Sequence, residues 1–296
     1  MHKSKNYNAN SIKLNFAKFI FKPLLKPRMR EFIKKLGINE TKIADFFVKK
    51  IITEEGIYEI DGFKLKKGRT TRLPILTGEI EKSQTALIKQ IVKPGMNVFD
   101  LGANFGWFTL VLSKTVGSSG RVYSFEADPS LVNILKENVK LNNFSNISIL
   151  PFAVSNKNCI SKFSLNESYD TRNQLEANLP SKNTVDVKVT SLDEFCNQEN
   201  LKRVDFVKMD IEGSEPRALE GMEKIITANP NLKIITEFNK VAMLSVGTSP
   251  ENFIDSLQEA GFIIEEIDEN TPGKLTEISK DKLLGKKVCN CYCYKK

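Results

Sequence analysis

From about residue 97 to residue 267 the apolar positions alternate between short unbroken runs and longer stretches in which they recur every three or four residues. An unbroken run is what a strand covered on both faces requires, and the three-to-four spacing is that of a helix with one buried side. The pattern predicts a strand ending in Val98, Phe99 and Leu101, a helix over 107–116, a strand over 121–125, a helix over 130–141 that follows Asp128 as N-cap and Pro129 and buries Leu131, Leu135 and Val139, and a third strand over 147–152. Residues 204–209 and 233–238 read as a fourth and a fifth strand, each followed by a helix, the first begun at Ser214 and the second begun at Ser249-Pro250 and ended by Gly261. Strands separated by single helices imply a parallel sheet with right-handed crossovers.

The flanks read differently. Residues 1–10 are polar and are expected to be disordered; 12–36 read as a basic amphipathic helix interrupted at Pro23 and Pro27, and 40–52 as a second helix. Asp61-Gly62 predicts a small hairpin over 57–65, and a helix over 81–92 closes at Pro94-Gly95. Residues 159–165 and 185–189 alternate like the strands of a hairpin, joined by a polar loop over 166–184 whose length suits a functional or mobile segment. The last strand-like stretches, 262–267 and 287–294, have no predicted helix between them and are expected to pair antiparallel at the sheet edge. That pairing places Cys289, Cys291 and Cys293 on one face, read as packing because structural metal sites favour C-x-x-C spacing.

Length and composition narrow the picture. A chain of 296 residues holds one sizeable domain with an appendage, divided here into a basic, mainly helical extension over 1–77 and a main domain over 78–296. No apolar run reaches the roughly 20 residues of a membrane span, the N-terminus lacks a secretory pattern, and five cysteines form no disulfide framework, so a reducing cytoplasmic setting is the default. The net charge of +8 is concentrated in residues 1–75, with 18 Lys and Arg against 7 Asp and Glu. Packing on the main domain or on a partner subunit, contact with an anionic membrane surface and a groove for an acidic substrate are the uses open to that basic stretch.

The strand at 97–101 runs into Asp100-Leu101-Gly102-Ala103-Asn104-Phe105-Gly106, a sharp turn opening a helix. Such a turn serves a dinucleotide or the nucleoside cofactor S-adenosylmethionine. The dinucleotide fingerprint needs G-x-G-x-x-G, which is absent, and Asp100 would repel a pyrophosphate yet suit an ammonium. Glu126, some 20 residues beyond the turn, stands where an acid binds both hydroxyls of a ribose, and Ala153 would face the adenine. The fourth strand ends in Lys208-Met209-Asp210-Ile211-Glu212-Gly213-Ser214-Glu215. Crowded carboxylates repel one another, which suits one of them to proton acceptance; Glu215 is read instead as a helix-terminus acid.

Five ordered stretches, Phe99 to Gly106, Phe125-Glu126-Ala127-Asp128-Pro129, Ala153-Val154-Ser155, Thr190-Ser191-Leu192-Asp193 and Lys208 to Glu215, together resemble the FkbM family of S-adenosylmethionine-dependent methyltransferases over about residues 78–240. The resemblance implies a Rossmann-like methyltransferase fold: a mostly parallel twisted sheet of about seven strands with an antiparallel edge and helices on both faces. It implies cofactor binding by Asp100, Gly102, Ala103, Asn104, Gly106, Glu126, Ala127 and Ala153, and methylation of a hydroxyl on a sugar, glycan, lipid-linked saccharide or polyketide-like product.

A hydroxyl is a poor nucleophile until a base takes its proton. His2 is the only histidine, so the candidates are Asp210 first, then Glu212 and Glu237. Asp210, Glu237 and Asn239 would also suit a hard cation, but oxygen-only sets are common on any surface and no metal site is assigned. Two other classes compete: a non-catalytic scaffold that binds a partner or membrane, and a nucleic-acid methyltransferase. The second rests on the N-terminal charge alone and lacks the Pro-Pro-aromatic sequence after the fourth strand, where Ile211-Glu212-Gly213 stands.

Overall fold

The computed structural model describes residues 56–66, 80–165, 174–175 and 184–296. The helices expected over 12–36 and 40–52, and most of the polar loop expected over 166–184, lie outside the described residues. The chain divides into two units, one of residues 1–81 with 137–143 and one of residues 82–136 with 144–296.

In the first unit, β1 (Ile57–Ile60) and β2 (Phe63–Lys66) form an antiparallel hairpin. Asp61 and Gly62 turn it with φ of 49° and 79°, the positive pair that a two-residue hairpin turn demands. Asn138 and Asn142 then accept from the amides of Lys66 at 2.6 Å and Lys64 at 2.9 Å and donate to the carbonyls of the same residues. Two side-chain amides thus satisfy the edge that a two-stranded ribbon leaves open.

The second unit begins with α1 (Lys82–Ile91), β3 (Asn97–Leu101), α2 (Trp107–Val116), β4 (Arg121–Phe125), α3 (Pro129–Leu141, of which 137–141 belong to the first unit) and β5 (Ile147–Leu150). There follow β6 (Phe152–Val154), β7 (Cys159–Ser164), β8 (Gln174–Leu175), β9 (Thr184–Thr190), α4 (Leu192–Gln198), β10 (Phe206–Met209), α5 (Glu215–Glu220) and α6 (Glu223–Ala228). It closes with β11 (Lys233–Asn239), α7 (Lys240–Ser245), α8 (Pro250–Glu259), β12 (Ile263–Ile267), β13 (Leu275–Glu277), α9 (Lys280–Leu284) and β14 (Val288–Tyr294).

The main sheet has eight strands in the order β13-β12-β14-β11-β10-β3-β4-β5. The five from β11 to β5 are parallel. From β3 the chain steps outward through β4 to β5, then returns to lay down β10 and β11 on the other side. With crossovers of fixed hand, that reversal puts helices on both faces and makes the β3/β10 border the switch point. At its centre Phe99 is fully buried, edge to face with Tyr123, Phe125 and Phe195 at 5.5, 5.7 and 6.0 Å.

Two expectations need correction, and a third is met. β12 and β14 pair antiparallel at that end of the sheet as expected, with the short β13 added at the border; β14 itself lies between β11 and β12 and is antiparallel to both. Hydrogen bonds on both sides hold it there, with Cys289, Cys291 and Cys293 in the core as free thiols. A helix does separate 262–267 from 287–294, the five-residue α9, too short and lysine-rich to show a period but capped by Ser279, which accepts from the Lys282 amide. The third strand breaks at Pro151, which has no N–H to give to a ladder. Phe152–Val154 therefore leaves the main sheet and pairs parallel with β9 in a second sheet, ordered β6-β9-β7-β8, so Ala153 belongs to that sheet.

Candidate functional site

The turn after β3 is fastened to the end of β4. The amides of Gly102 and Ala103 donate to the carbonyl of Phe125 at 3.0 and 2.9 Å, and that of Asn104 to Oε2 of Glu126 at 2.7 Å. Gly102 has φ of 77°, and a Cβ there would strike the carbonyl oxygen of Asp210. Only glycine lets β3 turn while its backbone lies this close to the end of β10. Gly106, at φ 97°, closes the turn by donating to Ala103 and caps α2.

Glu126 is 7% exposed, and its second oxygen accepts from the Asp128 amide at 2.8 Å. Burial pushes its carboxyl up to about 7 against the pull of those amides. An ionised carboxylate has about four acceptor positions; the amides of Asn104 and Asp128 take two and that of Ala127 also bears on it, which leaves acceptor capacity for a hydroxyl. Asp128 fixes the next helix as expected, its Oδ1 accepting from the Ser130 amide at 2.7 Å.

Asp100 is wholly enclosed. Oδ2 accepts from the Thr109 hydroxyl at 2.6 Å, and Thr109 shares a hydrogen bond with Ser124 at 2.9 Å. Oδ1 has no hydrogen-bond partner among the described residues, and burial raises the carboxyl above the ordinary aspartate range.

At the end of β10 the Asp210 amide donates to the carbonyl of Leu101 at 3.1 Å, which joins the fourth strand to the first where both stop. The Asp210 side chain is 36% exposed, and its Oδ2 accepts from Lys208 Nζ at 3.0 Å. Glu212 has φ of 53° and Gly213 of 101°, so the chain doubles back sharply; a Cβ on Gly213 would meet the backbone of Ala242. The buried Glu215 holds this turn, its two oxygens accepting from the amides of Ile211 and Gly213, each at 2.8 Å. Burial, with the charges of Asp210 and Glu237 nearby, pushes Glu215 up to about 8. Ser214, expected to cap the helix, makes no cap bond and leaves Oγ buried without a partner among the described residues. Glu237, one strand further out, accepts from Asn239 at 3.1 Å.

The structure therefore gathers Gly102, Glu126 and Asp210 at adjacent strand ends. Asp100 lies beneath them, Glu212 follows in the turn, and Glu237 ends the neighbouring strand. Ala127 and Ala153 pack in one apolar cluster with Phe163, Val187 and Val189. Among the described residues no group of three or more His, Cys, Asp or Glu is placed to hold a metal ion. No helix among them is long and apolar enough to cross a membrane. Sequence reading missed Thr109 and Ser124, hydroxyls that look like ordinary helix and strand residues, and the placement of Lys208 opposite Asp100, which only sheet register reveals.

The family model described as the Methyltransferase FkbM domain matches residues 100–264. A second, for protein-L-isoaspartate(D-aspartate) O-methyltransferase, matches residues 46–152. The chain is 41% identical over 73 residues to a ribosomal protein L11 methyltransferase of Caldanaerobacter subterraneus, 25% of this chain and 23% of that protein. It is 33% identical over 128 residues to a protein-L-isoaspartate O-methyltransferase of Pyrococcus horikoshii, 42% of this chain and 56% of that protein. The matches thus span less than two thirds of these relatives' length. A crystal structure of a SAM dependent methyltransferase from Aquifex aeolicus aligns with a TM-score of 0.41 at 19% identity, over 72% of this chain and 90% of that one.

Proposed function

From the premise that this chain belongs to the FkbM methyltransferase family, and is thus an S-adenosylmethionine-dependent methyltransferase, we propose that it methylates a hydroxyl of a sugar, glycan or related natural product. The observation that carries this reading is Asp210: a carboxylate at a strand end, beside the glycine turn, open to the outside and anchored from within. S-adenosylmethionine, when bound, supplies an electrophilic methyl group on its sulfonium.

The residues present fit that cofactor. Glu126 keeps acceptor capacity for a ribose hydroxyl, the turn from Gly102 to Gly106 brings bare backbone to the strand tips, and Ala127 and Ala153 give an apolar wall for a base. Asp100, with an oxygen lacking a donor, sets negative charge beneath an ammonium. Methyl transfer needs the acceptor oxygen in line and about 3 Å from the carbon, and Asp210 takes the hydroxyl proton as that bond forms. Glu212 and Glu237 are the secondary candidates. The isoaspartyl match ends at residue 152, before β10 begins, and so bears on the cofactor half and not on the acceptor. We assign the basic residues 1–77 to contact with an anionic surface or partner.

The test is incubation with methyl-labelled S-adenosylmethionine and a lysate separated into saccharide, lipid-linked, protein and RNA fractions. Label in a saccharide or lipid-linked fraction that survives alkali, as an ether does and a methyl ester does not, supports the proposal. Label confined to protein or RNA contradicts it.

A further inference from the structure

Lys208 has no task in the roles above, yet its position is unusual. Its strand neighbours Phe206, Val207 and Met209 are fully buried and apolar, and Lys208 itself is 2% exposed. A buried ammonium is costly unless paired, so its surroundings show what it does. Nζ lies 3.0 Å from Oδ2 of Asp210 and 4.8 Å from the ring centroid of Phe108, in the first turn of the helix behind the glycine turn. Sheet register sets Lys208 directly beside Asp100, whose carboxyl feels its charge. One enclosed cation therefore stands beside two carboxylates, the sealed Asp100 and the accessible Asp210. Glu215, from α5, feels the charges of Asp210 and of Glu237, on β11.

We propose that Lys208 is a positioning residue for Asp210: its ammonium holds Oδ2, so that Oδ1 is the oxygen left to receive the acceptor's proton, and the Phe108 contact ties that orientation to the cofactor turn. A free aspartate at a loop entrance samples several rotamers, whereas a charge-assisted hydrogen bond from a residue that cannot itself move selects one. The inference rests on Asp210 being the proton acceptor.

Two measurements separate its failure from that of the acceptor reading. The first needs no acceptor. In protein labelled with 15N-lysine, Lys208 is expected to give a slowly exchanging ammonium signal, assigned by its loss in Lys208→Arg, and Asp210→Asn is expected to speed its proton exchange at least about threefold. An unchanged signal overturns the pairing, and the partly exposed Asp210 side chain makes that variant one that folds. The second uses methyl transfer to the labelled lysate fraction at saturating cofactor. Lys208→Met is expected to lower kcat about tenfold or more with KM for S-adenosylmethionine within about threefold, Lys208→Arg to restore much of it, and Lys208→Met/Asp210→Asn to be no slower than Asp210→Asn alone. Multiplying effects in the double variant, or wild-type kcat in Lys208→Met, overturns the proposal. If wild-type protein labels no fraction, the acceptor reading fails, and the ammonium signal still decides the Lys208–Asp210 link.

Discussion

The amide of Asn104 donates to Oε2 of Glu126 at 2.7 Å, so the tip of the glycine turn and the acid at the end of the next strand are held as one piece. A pH dependence of cofactor binding follows from this buried carboxylate.

Glu126 is raised to about 7 by burial, and ribose hydroxyls donating to it favour its ionised form. Binding therefore releases a proton, and affinity for S-adenosylmethionine is expected to rise about tenfold from pH 6 to pH 8. Calorimetry across that range checks this. Glu126→Gln should flatten the dependence, and Glu126→Ala should weaken binding by about 1–3 kcal/mol.

Glu215 is raised to about 8 and Glu126 to about 7, from 4.5 in the unfolded chain. A raised carboxyl binds its proton more tightly when folded, so the stabilising protonated form is present at low pH and lost as pH climbs from 4.5 toward 8. Cofactor-free protein is expected to lose stability over that window, read from urea midpoints. Glu215→Ala should cost about 2–4 kcal/mol at pH 6 by leaving the Ile211 and Gly213 amides unpaired. A midpoint that rises with pH through this window would count against these burials.

Gly102→Ala forces a side chain into the Asp210 carbonyl at φ 77°. A loss of about 3 kcal/mol or more in stability is expected from strain and overlap together, with cofactor affinity falling in parallel. Thermal unfolding and titration of the same sample check both.

Burial pushes the thiols of Cys196 and Cys293 up to about 12, and Cys291 is raised as well. Since the thiolate is the reactive form, alkylation of native protein at pH 8 is expected to spare these three and mark the partly exposed Cys159. Mass spectrometry of the labelled peptides decides it.

Much of this was legible in the sequence because β3, α2 and β4 are continuous in chain and pattern. The helix predicted over 107–116 is α2 as observed, and Asp128 and Ser249 behave as start signals, Ser249 accepting from Asn252 at 3.2 Å. The misses share one cause. Whether β14 lies inside or at the rim, where the chain leaves the sheet at Pro151, and which residue stands opposite Asp100 are questions of lateral pairing, and one strand's pattern carries no record of its neighbour. In the sequence Lys208 is no more than the first letter of a motif; the register shows it to be a buried cation beside Asp100.

The most direct test of the central claim, that these strand ends form one methyl-transfer site with Asp210 as proton acceptor, is a comparison of wild type with Asp210→Asn. Cofactor Kd is read by calorimetry and label transfer by counting at saturating cofactor. The account predicts a Kd within about threefold of wild type and a rate lowered by about 10²-fold or more, in line with loss of a general base. Undiminished transfer by Asp210→Asn, or loss of rate only in proportion to lost cofactor binding, would contradict it.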